Sequence, residues 1–142
     1  FGLGLEFSEP SLFEAVTQYL QNVIGEEMFR TPGLAGKFFE SYIPRIKDQL
    51  AQDDRPITAL TYNDYHYVQW YLKGSWAFWD LEALTGRDAL LRALASVYRK
   101  HAGRQVDYDT FVGELSLSLG PEVPDHFHYW FKEPGFAPLH RK

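Results

Sequence analysis

The stretch from Tyr65 to Leu84 leaves this chain few ways to fold. Val68, Tyr71, Leu72, Trp76, Phe78, Trp79 and Leu84 cover most of the circumference of a helix drawn through it. A helix apolar nearly all round must be buried on most sides. The pattern therefore predicts one central helix, broken at Thr85-Gly86, with the rest of the chain packed around it. Gly74 sits in the middle of that helix, where glycine costs about 1 kcal/mol relative to alanine. Such a position needs a reason, most simply the close approach of another backbone.

The flanking sequence supplies the neighbours. A first helix is expected from the Ser8–Ser11 region to about Gly25, with Ser8 or Ser11 as cap, Pro10 in the first turn and an apolar stripe at Leu12, Val16, Tyr19, Leu20, Val23 and Ile24. Leu34 to about Gln52 reads as a second helix, irregular at Pro44. Arg87–His101 is the clearest amphipathic helix, with Leu90, Leu91, Leu94, Val97 and Tyr98 on one side and Gly103 just beyond. Asp107 or Asp109 caps a helix that Gly120-Pro121 stops, and a short last helix runs from Asp125 to Phe131. No sustained strand alternation, repeat or low-complexity tract is present. The expected class is all-α: a single domain over 1–142 of about six packed helices.

Composition narrows the function classes. The net charge is −5 with no basic stripe, which gives nucleic-acid binding no electrostatic support. There is no cysteine, which excludes a disulfide framework, a zinc ribbon and a thiol nucleophile, and fits the cytoplasm and an exported compartment equally. No apolar run reaches the roughly 20 residues of a membrane helix, so no membrane partner is expected. Aromatic residues make up 17%, suited to a large packed interior. The first residue is Phe1, from which a processed or excised chain is expected.

Few side chains suggest chemistry on their own. There is no His-Glu-x-x-His, no phosphate loop and no nucleophile elbow. His126 and His128 diverge if helical, and read as surface neighbours of the Phe127, Tyr129 and Trp130 anchor. Glu14 lies three residues after Ser11, the spacing of a capping box, and on pattern alone that reading is favoured. Tyr71 alone reads as a buried aromatic beside Trp76 and Trp79.

Three blocks change the balance. Tyr71-Leu72-Lys73-Gly74, followed by Leu81-Glu82-Ala83-Leu84-Thr85-Gly86, resembles the Tyr-x-Lys-Gly helix and Leu-x-x-x-x-Gly turn of the aminopeptidase N family of gluzincins. Trp130 with Pro134-Gly135-Phe136 and Pro138 is similar to that family's later Trp and Pro-Gly-[Tyr/Phe] block, with Ala137 as an extra residue. Phe7, Leu12, Glu14, Ala15, Thr17 and Tyr19 resemble its third-ligand segment, Trp-x-x-x-x-Leu-x-Glu-Gly-x-[Ala/Thr]-x-Tyr. Here Phe replaces the Trp and Ala15 the Gly. Tyr71 follows Glu14 by 57 positions, within the family's range.

The resemblance implies a helical lobe of a thermolysin-like catalytic domain. It implies zinc as cofactor, Glu14 as metal ligand and Tyr71 as catalytic hydrogen-bond donor to the oxyanion formed from a peptide substrate. The family's His-Glu-x-x-His helix and its substrate-amine motif would both fall before Phe1. These 142 residues alone are therefore expected to bind zinc weakly or not at all, and to be inactive. Lys73 is expected to be a salt-bridge partner, and Trp130 with Phe136 to lock the C-terminal turn onto the core. Excision would expose apolar surface, at Phe1–Phe7 and along part of Tyr65–Trp79, through which a homodimer is expected. A second class stays open beside the enzyme: a gluzincin-like helical module without a metal site, serving as an interaction surface.

Overall fold

The computed structural model describes residues 5–141. Six α-helices run in the order α1 (Pro10–Phe29), α2 (Leu34–Gln52), α3 (Gly74–Thr85), α4 (Arg87–Lys100), α5 (Tyr108–Leu119) and α6 (Val123–Lys132). The fold is all-α. A π-helical segment, Val68–Lys73, leads into α3, and a short 3-10 turn at Ile57–Ala59 follows α2. Two strands of three residues each, β1 (Leu5–Phe7) and β2 (Arg104–Val106), pair in parallel with Phe7 opposite Val106. Strands this short carry too little alternation to be read from a sequence.

The central segment is buried as its pattern requires. Trp70, Leu72, Trp76, Ala77, Phe78, Trp79 and Leu81 all lie in the core. α1 and α2 cover one side of it, and α4 and α6 pack against α3 itself. α5 bridges α4 to α6, and Phe111 joins Phe78 and Phe127 in an edge-to-face cluster with centroids 5.2–6.3 Å apart. On the other side Phe39 of α2 stacks on Trp79 at 4.7 Å, and its carbonyl accepts the Trp76 indole N–H at 2.8 Å.

Local details depart from the sequence pattern in instructive places. α1 is capped by Glu9, whose carboxylate accepts from the Ser11 backbone N–H and, at 2.7 Å, from the Ser11 hydroxyl. Ser11 is inside the helix and buried, so the Ser11/Glu14 capping box does not form. α1 also runs past Gly25 to Phe29 and ends on Arg30 in the left-handed conformation. One helical glycine costs too little to stop it, because the Glu26 carboxylate just beyond accepts the Ala35 N–H at 2.9 Å and the Arg87 guanidinium at 2.7 Å. α6 begins two residues early, at Val123, with Pro124 in its first turn. Gly86, at φ +85°, separates α3 from α4 in a conformation that favours glycine.

The expected exposure along Tyr65–Trp79 holds only at its start. Tyr65 and Tyr67 are exposed, whereas Trp76 and Trp79 are buried by α2 and the C-terminal turn. Among the described residues elsewhere, the most exposed apolar side chains are Leu117, Met28 and Phe29. Most of the Phe1–Phe7 stretch lies outside the described residues.

Gly74 explains its own presence. A Cβ placed there would lie 2.8 Å from the Ala15 Cβ of α1, closer than two carbons tolerate. Gly74→Ala is expected to destabilise the chain by about 1–3 kcal/mol through overpacking. Adding Ala15→Gly should recover part of that loss although glycine itself weakens the helix. Urea unfolding of the two single variants and the double variant measures both effects.

Candidate functional site

The close crossing of α1 over Gly74 places two polar side chains together. Glu14 directly precedes Ala15, and Tyr71 lies three residues before Gly74, nearly one turn back. The contact between Ala15 and Gly74 therefore brings the Glu14 carboxylate beside the Tyr71 phenol. Both side chains are half-buried. The phenol's pKa is pushed up to about 12, first by burial, then by hydrogen bonding with Glu14 and by its negative charge, with smaller contributions from Tyr67 and Tyr62.

The backbone at Tyr71 is itself unusual. The Gly74 N–H reaches back five residues to the Gln69 carbonyl, the widened bond of a π-helical turn. Such turns inside longer helices recur at functional positions, because they shift side chains out of α-helical register. The Tyr71 ring is stacked on Tyr67 with centroids 5.0 Å apart, and the Arg45 guanidinium lies 5.3 Å from the centre of the Tyr67 ring. A phenol stacked against a neighbouring ring, with a carboxylate close enough to raise its pKa, has its ring plane restricted before any ligand arrives.

Glu14 is free for other work. With Glu9 as the cap, it has no role at the helix start, and among the described residues no ion pair holds it. A half-buried carboxylate without a cationic partner, facing a neutral donor, suits metal ligation or acceptance of a positive group. Five residues on from Glu14, Tyr19 donates to Glu82 at 2.6 Å, and burial holds its phenol far above its ordinary pKa. That bond ties the same two helices a second time.

Lys73 departs from expectation. It is buried, and its ammonium donates to the Glu133 carbonyl at 3.3 Å; no described carboxylate comes within salt-bridge reach. Burial lowers its pKa to about 8, partly opposed by the charge of Asp54. Asp54 instead accepts the Gly135 N–H at 2.7 Å, so Lys73 and Asp54 grip adjacent points of the C-terminal turn. Phe136 packs on Trp76 and Trp130 at 5.5 and 5.7 Å, the locking contact expected of it.

The two histidines of α6 also separate. His128 is exposed, but His126 is buried, with its Nε2 on the Ala77 carbonyl at 2.7 Å. The expectation of two surface histidines fails for His126 because α6 turns that face onto α3. No pattern in the sequence indicated that Asp80 and His140 would join His126.

Two outcomes follow. Glu14→Gln should lower the Tyr71 pKa toward that of free tyrosine, leaving only the contribution of burial and its tyrosine neighbours. An NMR titration of ring-labelled tyrosine measures this, and an unmoved Tyr71 resonance would mean the two groups do not meet. Lys73→Met should stabilise the chain by about 1–3 kcal/mol at pH 7. Since the folded-state pKa lies below that of free lysine, the unfolded chain holds the extra proton between about pH 8 and 10.5, and wild-type stability rises across that window. The advantage of the methionine variant should fade there, as read from chemical denaturation at several pH values.

No family model and no curated protein matches the chain. Its fold is shared with a solved structure, an M1 zinc metallopeptidase mutant from Deinococcus radiodurans bound to a Tyr-Ser-Ala substrate, with a TM-score of 0.77 and 19% identity over 94% of this chain and 29% of that one. A second structure of that mutant gives 0.76 and 18% over 95% and 30%. The chain spans under a third of the length of the proteins it matches. Its architecture is that of their helical region.

Proposed function

We propose that this chain is the helical part of a zinc-dependent aminopeptidase's catalytic domain, contributing a metal ligand, Glu14, and an oxyanion donor, Tyr71. The observation that carries the reading is the facing pair of Glu14 and Tyr71, set by the Ala15–Gly74 crossing. The likeness in fold to M1 zinc metallopeptidases supports it, one of them bound to a tripeptide substrate. So does the order of the three sequence blocks around the pair.

The donor set fits zinc as a contributor and not as a complete site. Zinc in catalytic sites takes three protein ligands, and at this position the chain offers one carboxylate without a cationic partner. Glu14 would hold the ion together with ligands from outside these residues. When bound, zinc supplies Lewis acidity and a water of lowered pKa.

The chain's own residues do the rest. A phenol with a pKa near 12 stays protonated at neutral pH, so Tyr71 can donate a hydrogen bond to a substrate carbonyl as negative charge develops on it. Stacking on Tyr67 restricts its ring, so less reorganisation is needed at the moment of reaction. Glu14 lies on a rigid, twenty-residue helix whose close contact with α3 fixes its distance from that phenol. Alone, the chain is inactive because one carboxylate does not complete a metal site.

In the full-length protein, Tyr71→Phe should lower kcat for an aminoacyl anilide by about 100- to 1,000-fold while zinc content is unchanged. Glu14→Gln should reduce bound zinc and activity together. A full-length protein with neither zinc nor turnover would overturn the proposal in favour of a non-catalytic helical module.

A further inference from the structure

Asp80, His126 and His140 meet where α3, α6 and the segment after α6 come together, with ligand-capable atoms all within 4.8 Å of one another. The arrangement follows from Asp80, a fully buried carboxylate. Its Oδ1 accepts the backbone N–H groups of His140 and Arg141 at 2.8 and 2.7 Å. Its Oδ2 accepts that of Leu139 at 3.0 Å and the Trp130 indole N–H at 3.2 Å. These bonds bring the chain back over α3 and set the His140 ring beside that of His126, with centroids 5.4 Å apart and planes 19° from parallel.

His126 is 2% exposed, and its tautomer is dictated by its surroundings. The Ala77 carbonyl can only accept, so Nε2 carries the proton and Nδ1 the lone pair. That Nδ1 is buried and has no hydrogen-bond partner. It lies 4.0 Å from the Asp80 Oδ2, so two electron-rich atoms sit close together with no donor between them. A buried acceptor left in this state is costly, and a cation between the two atoms turns the repulsion into attraction. The ring is also held as metal-bound imidazoles are held, through the N–H on its far side.

We propose that Asp80 Oδ2, His126 Nδ1 and a ring nitrogen of His140 form a cation site, separate from Glu14, that clamps the segment after α6 to α3. Two imidazoles and one carboxylate select a borderline divalent ion such as zinc or cobalt over magnesium or calcium. With zinc–nitrogen bonds of about 2.0–2.1 Å, two imidazoles at a tetrahedral ion place their centroids roughly 5–5.5 Å apart, so the 5.4 Å spacing is compatible with ligation once the His140 ring turns its nitrogen inward. Tetrahedral ligand atoms lie about 3.3 Å apart, so closure requires His126 Nδ1 and Asp80 Oδ2 to draw together from 4.0 Å while exposed His140 rotates to aim a ring nitrogen at the ion. Of the two Asp80 oxygens, Oδ2 has the longer existing bonds, so it is the one able to share its electrons with a metal.

The test compares cobalt and zinc uptake by the full-length wild-type protein and by His140→Ala, which keeps the backbone N–H that Asp80 binds. The wild type should hold one more metal equivalent, or bind its weaker equivalent at least tenfold more tightly. His140→Cys should restore binding and show a thiolate-to-cobalt charge-transfer band in the near ultraviolet. Equal uptake by wild type and His140→Ala, or a cysteine variant without that band, would overturn the site. The same comparison in a Glu14→Gln background keeps this result independent of the aminopeptidase proposal, because that change leaves Asp80, His126 and His140 untouched.

Discussion

The contact between Ala15 and Gly74 is the constraint on which the site depends. A side chain of any size at position 74 would push α1 outward, and with it the carboxylate one residue from the contact. The two helices cannot slide freely along each other either, because Tyr19 and Glu82 join them again further along by a buried 2.6 Å hydrogen bond. Glu82 also meets Arg87 at 3.2 Å, and Arg87 meets Glu26, whose other oxygen accepts the Ala35 N–H. One polar chain thus links α1, α3, α4 and the start of α2. At the other end of the same crossing, Glu14 and Tyr71 face each other without such a network around them. The contrast is chemical: Glu82 has its charge paired, whereas Glu14 has only a neutral phenol.

The aromatic interior carries several polar groups, and they differ in how well they are satisfied. Asp80 has four donors for its two oxygens and forms an anchor around which the last described residues fold. Lys73 has one carbonyl at 3.3 Å and pays for burial with a lowered pKa. His126 has one good bond and one orphaned nitrogen. Asp80 belongs to α3, Lys73 to the segment leading into it, and His126 packs against α3 from α6; the first two hold parts of the chain that follow α6. The central helix therefore acts as core and as a frame to which the C-terminal turn is fixed, with Arg141 lying 3.5 Å over the Trp79 ring.

Helices were legible in the sequence wherever an apolar stripe and a capping or breaking residue agreed. Leu34–Gln52 matches its expected span despite Pro44, and α5 starts behind its Asp107 cap, whose carboxylate accepts the Thr110 N–H at 2.7 Å. Gly74 was legible too, since a glycine in a buried helix implied close approach. The capping box at Ser11 was misleading because the pattern does not say which residue enters the helix first, and Glu9 competes for that role. Three-residue strands and a π-helical turn leave no periodic trace, and neither does a buried histidine on a face that only tertiary packing defines. The Asp80–His126–His140 cluster spans positions far apart in the chain, so no local motif announces it. The pairing of Glu14 with Tyr71 was accessible only through the order of the three blocks, because no spacing rule connects residues 57 positions apart.

The most direct measurement is anomalous diffraction at the zinc edge from crystals of the full-length protein. An ion is expected about 2 Å from a Glu14 carboxylate oxygen, with the Tyr71 hydroxyl facing the same cleft. An ordered structure with no anomalous peak at Glu14, or with the Tyr71 phenol turned away from it, would rule out a shared metal cleft.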